Sequence, residues 1–205
     1  MPIKKSGWSV VVWTTAMATL AVGLSGGDKM KYPVAKVSFE DFKSLVQAVE
    51  PHRANRLVDL DTFLQMSRKP GAVVFDSRSD FRFERIHLKG AKHLAFSDFT
   101  QANLAKVFPG FDTTILIYCN NNFDGNEVDF ATKAAFPAAP VETAGKTPSP
   151  AQQMRAQEKP VTLALNIPTY INLYGYGYRN VYELNELVDV KDPRIEFEGS
   201  LAKKK

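Results

Sequence analysis

Apolar runs alternate with mixed polar segments from residue 38 onward, and the alternation predicts strands separated by helices. Thr114-Ile115-Leu116-Ile117-Tyr118 is β-branched and apolar with no polar face, the pattern of a strand buried on both faces of a parallel sheet. Ala72-Val73-Val74-Phe75 repeats it after the Pro70-Gly71 turn, and Leu57-Val58 and Leu94-Ala95-Phe96 are shorter strand candidates. Ser38 reads as an N-cap with Asp41 three positions on, before an apolar stripe of Phe39, Phe42, Leu45, Val46 and Val49 that Pro51 closes. Asp61 caps a second helix over residues 62–67, and Phe99 to Val107 forms another before Pro109-Gly110. Asn166-Ile167-Pro168 opens a helix over residues 169–174, stopped at Gly175 and Gly177. Strands and helices alternating at this spacing predict an α/β fold, a parallel sheet covered on both faces.

The ends of the chain carry a different pattern. Residues 1–27 place Lys4 and Lys5 before an apolar stretch from Trp8 to Leu24 and the small residues Ser25-Gly26-Gly27, the layout of a secretory signal peptide. An uncleaved N-terminal anchor is the alternative, because the stretch is near the shortest length that spans a bilayer. The expected location is therefore exported (periplasmic or secreted) or membrane-anchored, with the membrane met only through this segment. Residues 28–54 hold a polar linker and the first helix, and residues 188–205 a C-terminal extension and basic tail.

Composition narrows the chemistry. The 205 residues suffice for one domain with a sizeable core, and the formal charge of +4 gathers at the terminal lysines. No basic stripe interleaved with aromatics points to nucleic acid. One cysteine excludes an internal disulfide, and Cys119 with His52, His87 and His93 has no zinc-ligand spacing, so neither a metal nor a cofactor is expected. That cysteine ends the central strand and is followed by Asn120, Asn121, Asn122, Phe123, Asp124 and Gly125. Ligands in open α/β sheets sit at carboxyl strand ends. Cys119 is thus either a nucleophile over a loop of N–H groups or a small hydrophobe finishing a buried strand.

Three further segments join this one in a recognisable order. Val74-Phe75-Asp76-Ser77-Arg78, then His87-Leu88-Lys89-Gly90-Ala91, then Ile115 to Cys119, and finally Leu173 to Leu184 resemble the ordered signatures of rhodanese-like domains. The resemblance covers residues 55–187 and implies a doubly wound domain around a five-stranded parallel sheet. It also implies sulfur transfer, in which Cys119 accepts a sulfane sulfur from a small donor, holds it as a persulfide and passes it to a thiol or other nucleophile. Asn120 to Gly125 would form the substrate-binding loop, with Phe123 walling the pocket. Asp76, Arg78 and His87 would brace neighbouring loops.

Two departures qualify this. Residues 120–126 contain no cation to clamp an anion, and Asp124 would repel one. Phosphatase chemistry is therefore not expected, and a neutral or organic persulfide suits the loop better than dianionic thiosulfate. Arg82 or Arg85 would supply a cation only by reaching in from another loop. The second departure is an insertion at about residues 127–161, rich in Ala, Pro, Gln and Lys, between the cysteine loop and the helix that follows it in the resembling family. It serves as a lid, as a protein-binding arm, or as a tolerated excursion. The alternative to a sulfurtransferase is a catalytically inactive binding module that uses this insertion and the run Tyr170, Tyr174, Tyr176, Tyr178, Tyr182 for a protein partner. A thiol redox sensor is a third reading, although no second cysteine could resolve an oxidised one.

Overall fold

The computed structural model describes residues 32–135 and 161–202. The segment at 1–27 expected to be a signal peptide or anchor, the middle of the expected insertion and the last three lysines lie outside the described residues. Residues 32–37 belong to a unit of their own and form no helix or strand.

From Ser38 the chain builds a five-stranded sheet and, among the described residues, three two-stranded ribbons. The strands are β1 (Leu57–Val58), β2 (Val73–Asp76), β3 (His87–Leu88), β4 (Lys92–His93), β5 (Ile115–Tyr118), β6 (Phe123–Asp124), β7 (Ala134–Ala135), β8 (Val161–Thr162), β9 (Val181–Leu184), β10 (Val188–Asp189) and β11 (Phe197–Glu198). The main sheet has the order β1-β9-β5-β2-β4 with every pair parallel. The helices are α1 (Phe39–Ala54), α2 (Leu60–Ser67), α3 (Asp80–Arg85), α4 (Gln101–Val107) and α5 (Asn166–Gly175). Period-2 alternation in the strands makes two core layers. Leu116 and Tyr118 face Leu60, Phe63, Phe123 and Phe130 on the side of α2 and α3. Phe75, Ile115, Ile117 and Val181 face Val49, Leu104, Tyr170 and Leu173 on the side of α1, α4 and α5. All four residues of β5 are buried, as its unbroken apolar run requires.

The helix ends differ from expectation where neighbours decide them. Helix α1 begins at the Ser38 cap, whose Oγ accepts from Asp41 N at 3.1 Å. It runs through Pro51 to Ala54, because Asn55 Nδ2 caps the Pro51 carbonyl at 2.9 Å and Arg53 grips Glu183 through two 2.6 Å bonds. Of its apolar stripe only Val49 is buried, and Phe39 and Phe42 lie exposed. Asp59 rather than Asp61 caps α2, accepting from Thr62 N at 2.7 Å. The predicted strand at residues 94–96 is replaced by β4 and a short 3-10 turn, Phe96–Asp98, with Thr100 capping α4. Of the tyrosine run, Tyr170 and Tyr178 are core residues.

The chain after β9 is laced to the domain. Strand β10 pairs with β6 and β11 with β3. Ser200 and Leu201 donate to Glu84 O and Arg85 O, each at 2.9 Å. Between β11 and these bonds Gly199 has φ +119°, and a Cβ there would stand 2.6 Å from Arg85 O and 2.9 Å from Glu84 O. Gly199→Ala is expected to destabilise by about 1–3 kcal/mol. Its urea midpoint should fall, with faster amide exchange at Ser200 and Leu201, whereas an unshifted midpoint would refute this account.

Candidate active site

Parallel pairing sets Asp76 at the end of β2 beside Tyr118 at the end of β5. The next residue is Cys119, which leads into a 3-10 turn, Asn120–Asn122. Backbone N–H groups of Asn120 and Asn121 in the turn and of Leu165 act on its sulfur in the direction that favours a thiolate. Leu165 is the residue immediately before α5, so that helix arrives N-terminus first at the sulfur although the insertion intervenes in sequence. Cys119 is 1% exposed. Burial pushes the thiol pKa above its ordinary value, the three N–H groups pull it back, and the Asp76 carboxylate adds a smaller upward push. The resting group is a protonated thiol.

The three asparagine side chains reach outward to three different parts of the fold. Asn120 Oδ1 accepts from Arg78 Nη1 at 3.1 Å. Asn121 makes a reciprocal pair with one residue beyond the loop: its Nδ2 donates to Lys133 O at 3.1 Å and its Oδ1 accepts from Lys133 N at 3.0 Å. Asn122 Oδ1 accepts from Cys119 N and from Asn166 Nδ2, both at 2.9 Å, while its Nδ2 donates to Leu184 O at 2.7 Å and Glu186 O at 3.2 Å. What the turn presents to the sulfur is therefore backbone. Phe123 lies in the core, packed on Tyr118, Phe130 and Phe197, rather than as a wall beside the thiol. Asp124 is exposed in β6, and Gly125 makes the turn after it at φ +82°.

Asp76 and Arg78 form a buried pair, 0% and 2% exposed. Arg78 donates from Nε to Oδ1 at 3.0 Å and from Nη2 to Oδ2 at 2.7 Å, and Nη2 also reaches Ile86 O at 2.6 Å. Tyr118 Oη donates to Asp76 Oδ2 at 2.6 Å. The guanidinium sits 4.9 Å over the Phe130 ring. This cation thus neutralises Asp76 and touches the cysteine turn only through Asn120. His87 stacks on Phe83 with ring centroids 3.7 Å apart, and its Nδ1 donates to Phe83 O at 2.7 Å. Arg82 donates to Val128 O and Arg85 Nε to Asp129 Oδ1 at 2.8 Å, so both hold the chain after the loop.

Leu165, Asn166 and Tyr118 are the site residues that sequence reasoning missed. The Asn-x-Pro helix signal marked the start of α5, but nothing local shows where that start points. A cleft of about 750 Å³ opens beside Gly125 and Asn126 against residues 190–202, and Cys119 does not line it. Among the described residues no cluster of His, Cys, Asp and Glu could hold a metal ion, and no helix is long and apolar enough to cross a membrane.

Residues 59–145 match the family model of the rhodanese-like domain. Similar solved structures include the BH2092 protein from Bacillus halodurans, 13% identical over 80% of this chain and 87% of that one, with a TM-score of 0.39. Another is the polysulfide-sulfur transferase homodimer from Wolinella succinogenes, 13% identical over 75% of this chain and 91% of that one, with a TM-score of 0.37. No curated protein matches the sequence.

Proposed function

We propose, from the premise that this chain carries a rhodanese-like domain, that Cys119 is a sulfur carrier. It takes a sulfane sulfur from a small donor and yields it to a thiol. The observation that carries this reading is the place of Cys119 at a carboxyl strand end, between a 3-10 turn and the start of α5, where backbone N–H groups of Asn120, Asn121 and Leu165 favour its thiolate. Such donors stabilise a thiolate and, equally, the negative charge that builds on sulfur as an S–S bond breaks. With a hydropersulfide donor the step balances without an oxidant. Ionised Cys119 attacks the outer sulfur of RS–SH, the donor's S–S bond breaks, and the donor leaves as RSH carrying the proton that Cys119 gave up. The resulting Cys–S–SH then loses its outer sulfur to an acceptor thiol by the same exchange. A donor without formal charge suits the site, because the Arg78 guanidinium is committed to Asp76 and Asp124 adds negative charge to the loop.

A second reading, a catalytically inactive module that binds a protein partner, is favoured by the near-complete burial of Cys119 and its raised pKa. Intact mass after incubation with thiosulfate, mercaptopyruvate and an organic persulfide separates the two. A gain of one sulfur atom with the organic persulfide, absent in Cys119→Ser, is the expected result. A folded protein that gains no sulfur from any donor would sink the carrier reading and leave the binding module.

A further inference from the structure

Exposed apolar residues gather at one place on the chain. Val34, Val37, Phe39, Phe42 and Val46 follow one another closely, and all five are exposed, Phe39 at 76% and Phe42 at 46%. Positions 39, 42 and 46 are three and four apart, so they share one side of α1. The helix is held to the domain along another side, where Val49 is buried and Leu45 packs against the core. The sequence puts an apolar stretch, Trp8 to Leu24, before this cluster, with Lys29, Lys31 and Lys36 between the two. We propose that the outer face of α1 is seated on a lipid bilayer, beside the point where the apolar stretch enters it as an uncleaved anchor.

Two observations favour lipid over a second protein. The exposed residues continue from the helix into residues 34–37, which form no helix or strand. An apolar strip of mixed backbone suits a deformable lipid interface better than the close complementarity of a protein contact. The tether is also short. From Ser25 to Val37 the chain spans at most about 45 Å when extended, so an anchor holds α1 beside the membrane at high effective concentration. Charge only assists, because Lys29, Lys31, Lys36 and Lys43 stand against Asp28, Glu40 and Asp41. The phenylalanine rings carry the contact, as aromatic side chains do at headgroup level.

The seat keeps clear of the cysteine. Helix α5 starts beside the Cys119 turn, where Asn166 Nδ2 donates to Asn122 Oδ1, and it ends at Gly175. Helix α1 runs antiparallel to it. Leu45 lies at Gly175, where a Cβ would stand 2.9 Å from Leu45 Cδ2, and His52 Nδ1 is 3.0 Å from Tyr170 Oη. Phe39 and Phe42 therefore lie toward the end of the domain farther from Cys119, and the carboxyl strand ends are turned away from the lipid. The inference is independent of the carrier reading, since no sulfur chemistry enters it.

The test places an environment-sensitive fluorophore on the full chain in vesicles of phosphatidylcholine and phosphatidylglycerol. In a Cys119→Ser background, Lys43→Cys puts the label beside Phe39, Phe42 and Val46, and Ala48→Cys puts it on the opposite, exposed side of α1. The expected result is a blue-shifted emission at position 43 that doxyl-labelled lipid quenches, with water-like, unquenched emission at position 48. Phe39→Ser with Phe42→Ser should return the label at position 43 to water-like emission while the chain still floats with the vesicles. A blue shift that doxyl lipid leaves unquenched would mean that a second copy of the chain covers the face, and would overturn the proposal. Equal emission at the two positions, or a chain that does not float, would overturn it too. Far-UV circular dichroism checks folding. If the double variant unfolds, Phe39→Ser alone, at the more exposed of the two positions, takes its place.

Discussion

Arg78→Met is expected to lower stability by about 3–5 kcal/mol, because it leaves a carboxylate buried in the core without its counter-charge. Asp76 is fully buried, and its two oxygens face the Arg78 guanidinium, the Tyr118 hydroxyl and the Arg78 backbone N–H. Methionine fills similar volume over the Phe130 ring but donates nothing to Asp76, Ile86 O or Asn120 Oδ1. The measurement is the urea midpoint at neutral pH. Combining the change with Asp76→Asn removes the stranded charge and should restore part of the loss. If the double variant is no better than the single one, the cost lies in packing rather than in charge. A midpoint equal to wild type would contradict the pairing itself.

Asn122→Ala is the second large effect, expected at about 3 kcal/mol or more. One amide, 6% exposed, serves four partners, and truncation strands the Cys119 N–H, the Asn166 amide and two carbonyls at once. Each buried group left unsatisfied costs about 1–3 kcal/mol before water or relaxation recovers some of it. Asn122→Asp separates the two halves of the role. An aspartate still accepts from Cys119 N and Asn166 Nδ2, but when ionised it sets negative charge against Leu184 O and Glu186 O. A protonated carboxyl can donate to one of them, so the aspartate variant should gain on the wild type as pH falls through the carboxyl range. A loss below about 0.5 kcal/mol for Asn122→Ala, the scale of a neutral surface change, would mean that the amide is dispensable.

These two residues show how far sequence carries. The apolar runs at Val73–Phe75 and Ile115–Tyr118 report burial on both faces, and burial on both faces implies a parallel sheet, so the architecture and the position of Cys119 at a strand end were legible. The place of Asp76 and Arg78 at the end of a second such strand was legible too, but their bracing role came from the resemblance to rhodanese-like domains rather than from the pattern. The work of the asparagine triplet was not legible, because three identical residues in one tight turn point in three directions set by φ and ψ rather than by composition. For the same reason residues 120–125 read as a substrate-binding loop, whereas the asparagine amides in it hold Arg78, Lys133 and the end of β9. The start of α5 was visible, but its aim at the sulfur depends on the path of a chain that leaves at Ala135 and returns at Val161. The exposure of Phe39 and Phe42 was hidden too, since an apolar stripe records a face without recording what covers it.

Strands β7 and β8 pair antiparallel, Ala135 with Val161, and this ribbon has a consequence in polymer terms. A chain that leaves and re-enters a domain through two hydrogen-bonded neighbours has its end-to-end distance fixed at the base. The free energy of closing such a loop then grows only with the logarithm of its length, about 0.6 kcal/mol for each doubling. Sequence between Ala135 and Val161 can therefore lengthen, shorten or change composition with little effect on the folding equilibrium of the sheet. The domain thus has a socket next to its only cysteine, where new sequence can be gained or exchanged without rebuilding the fold that holds the sulfur.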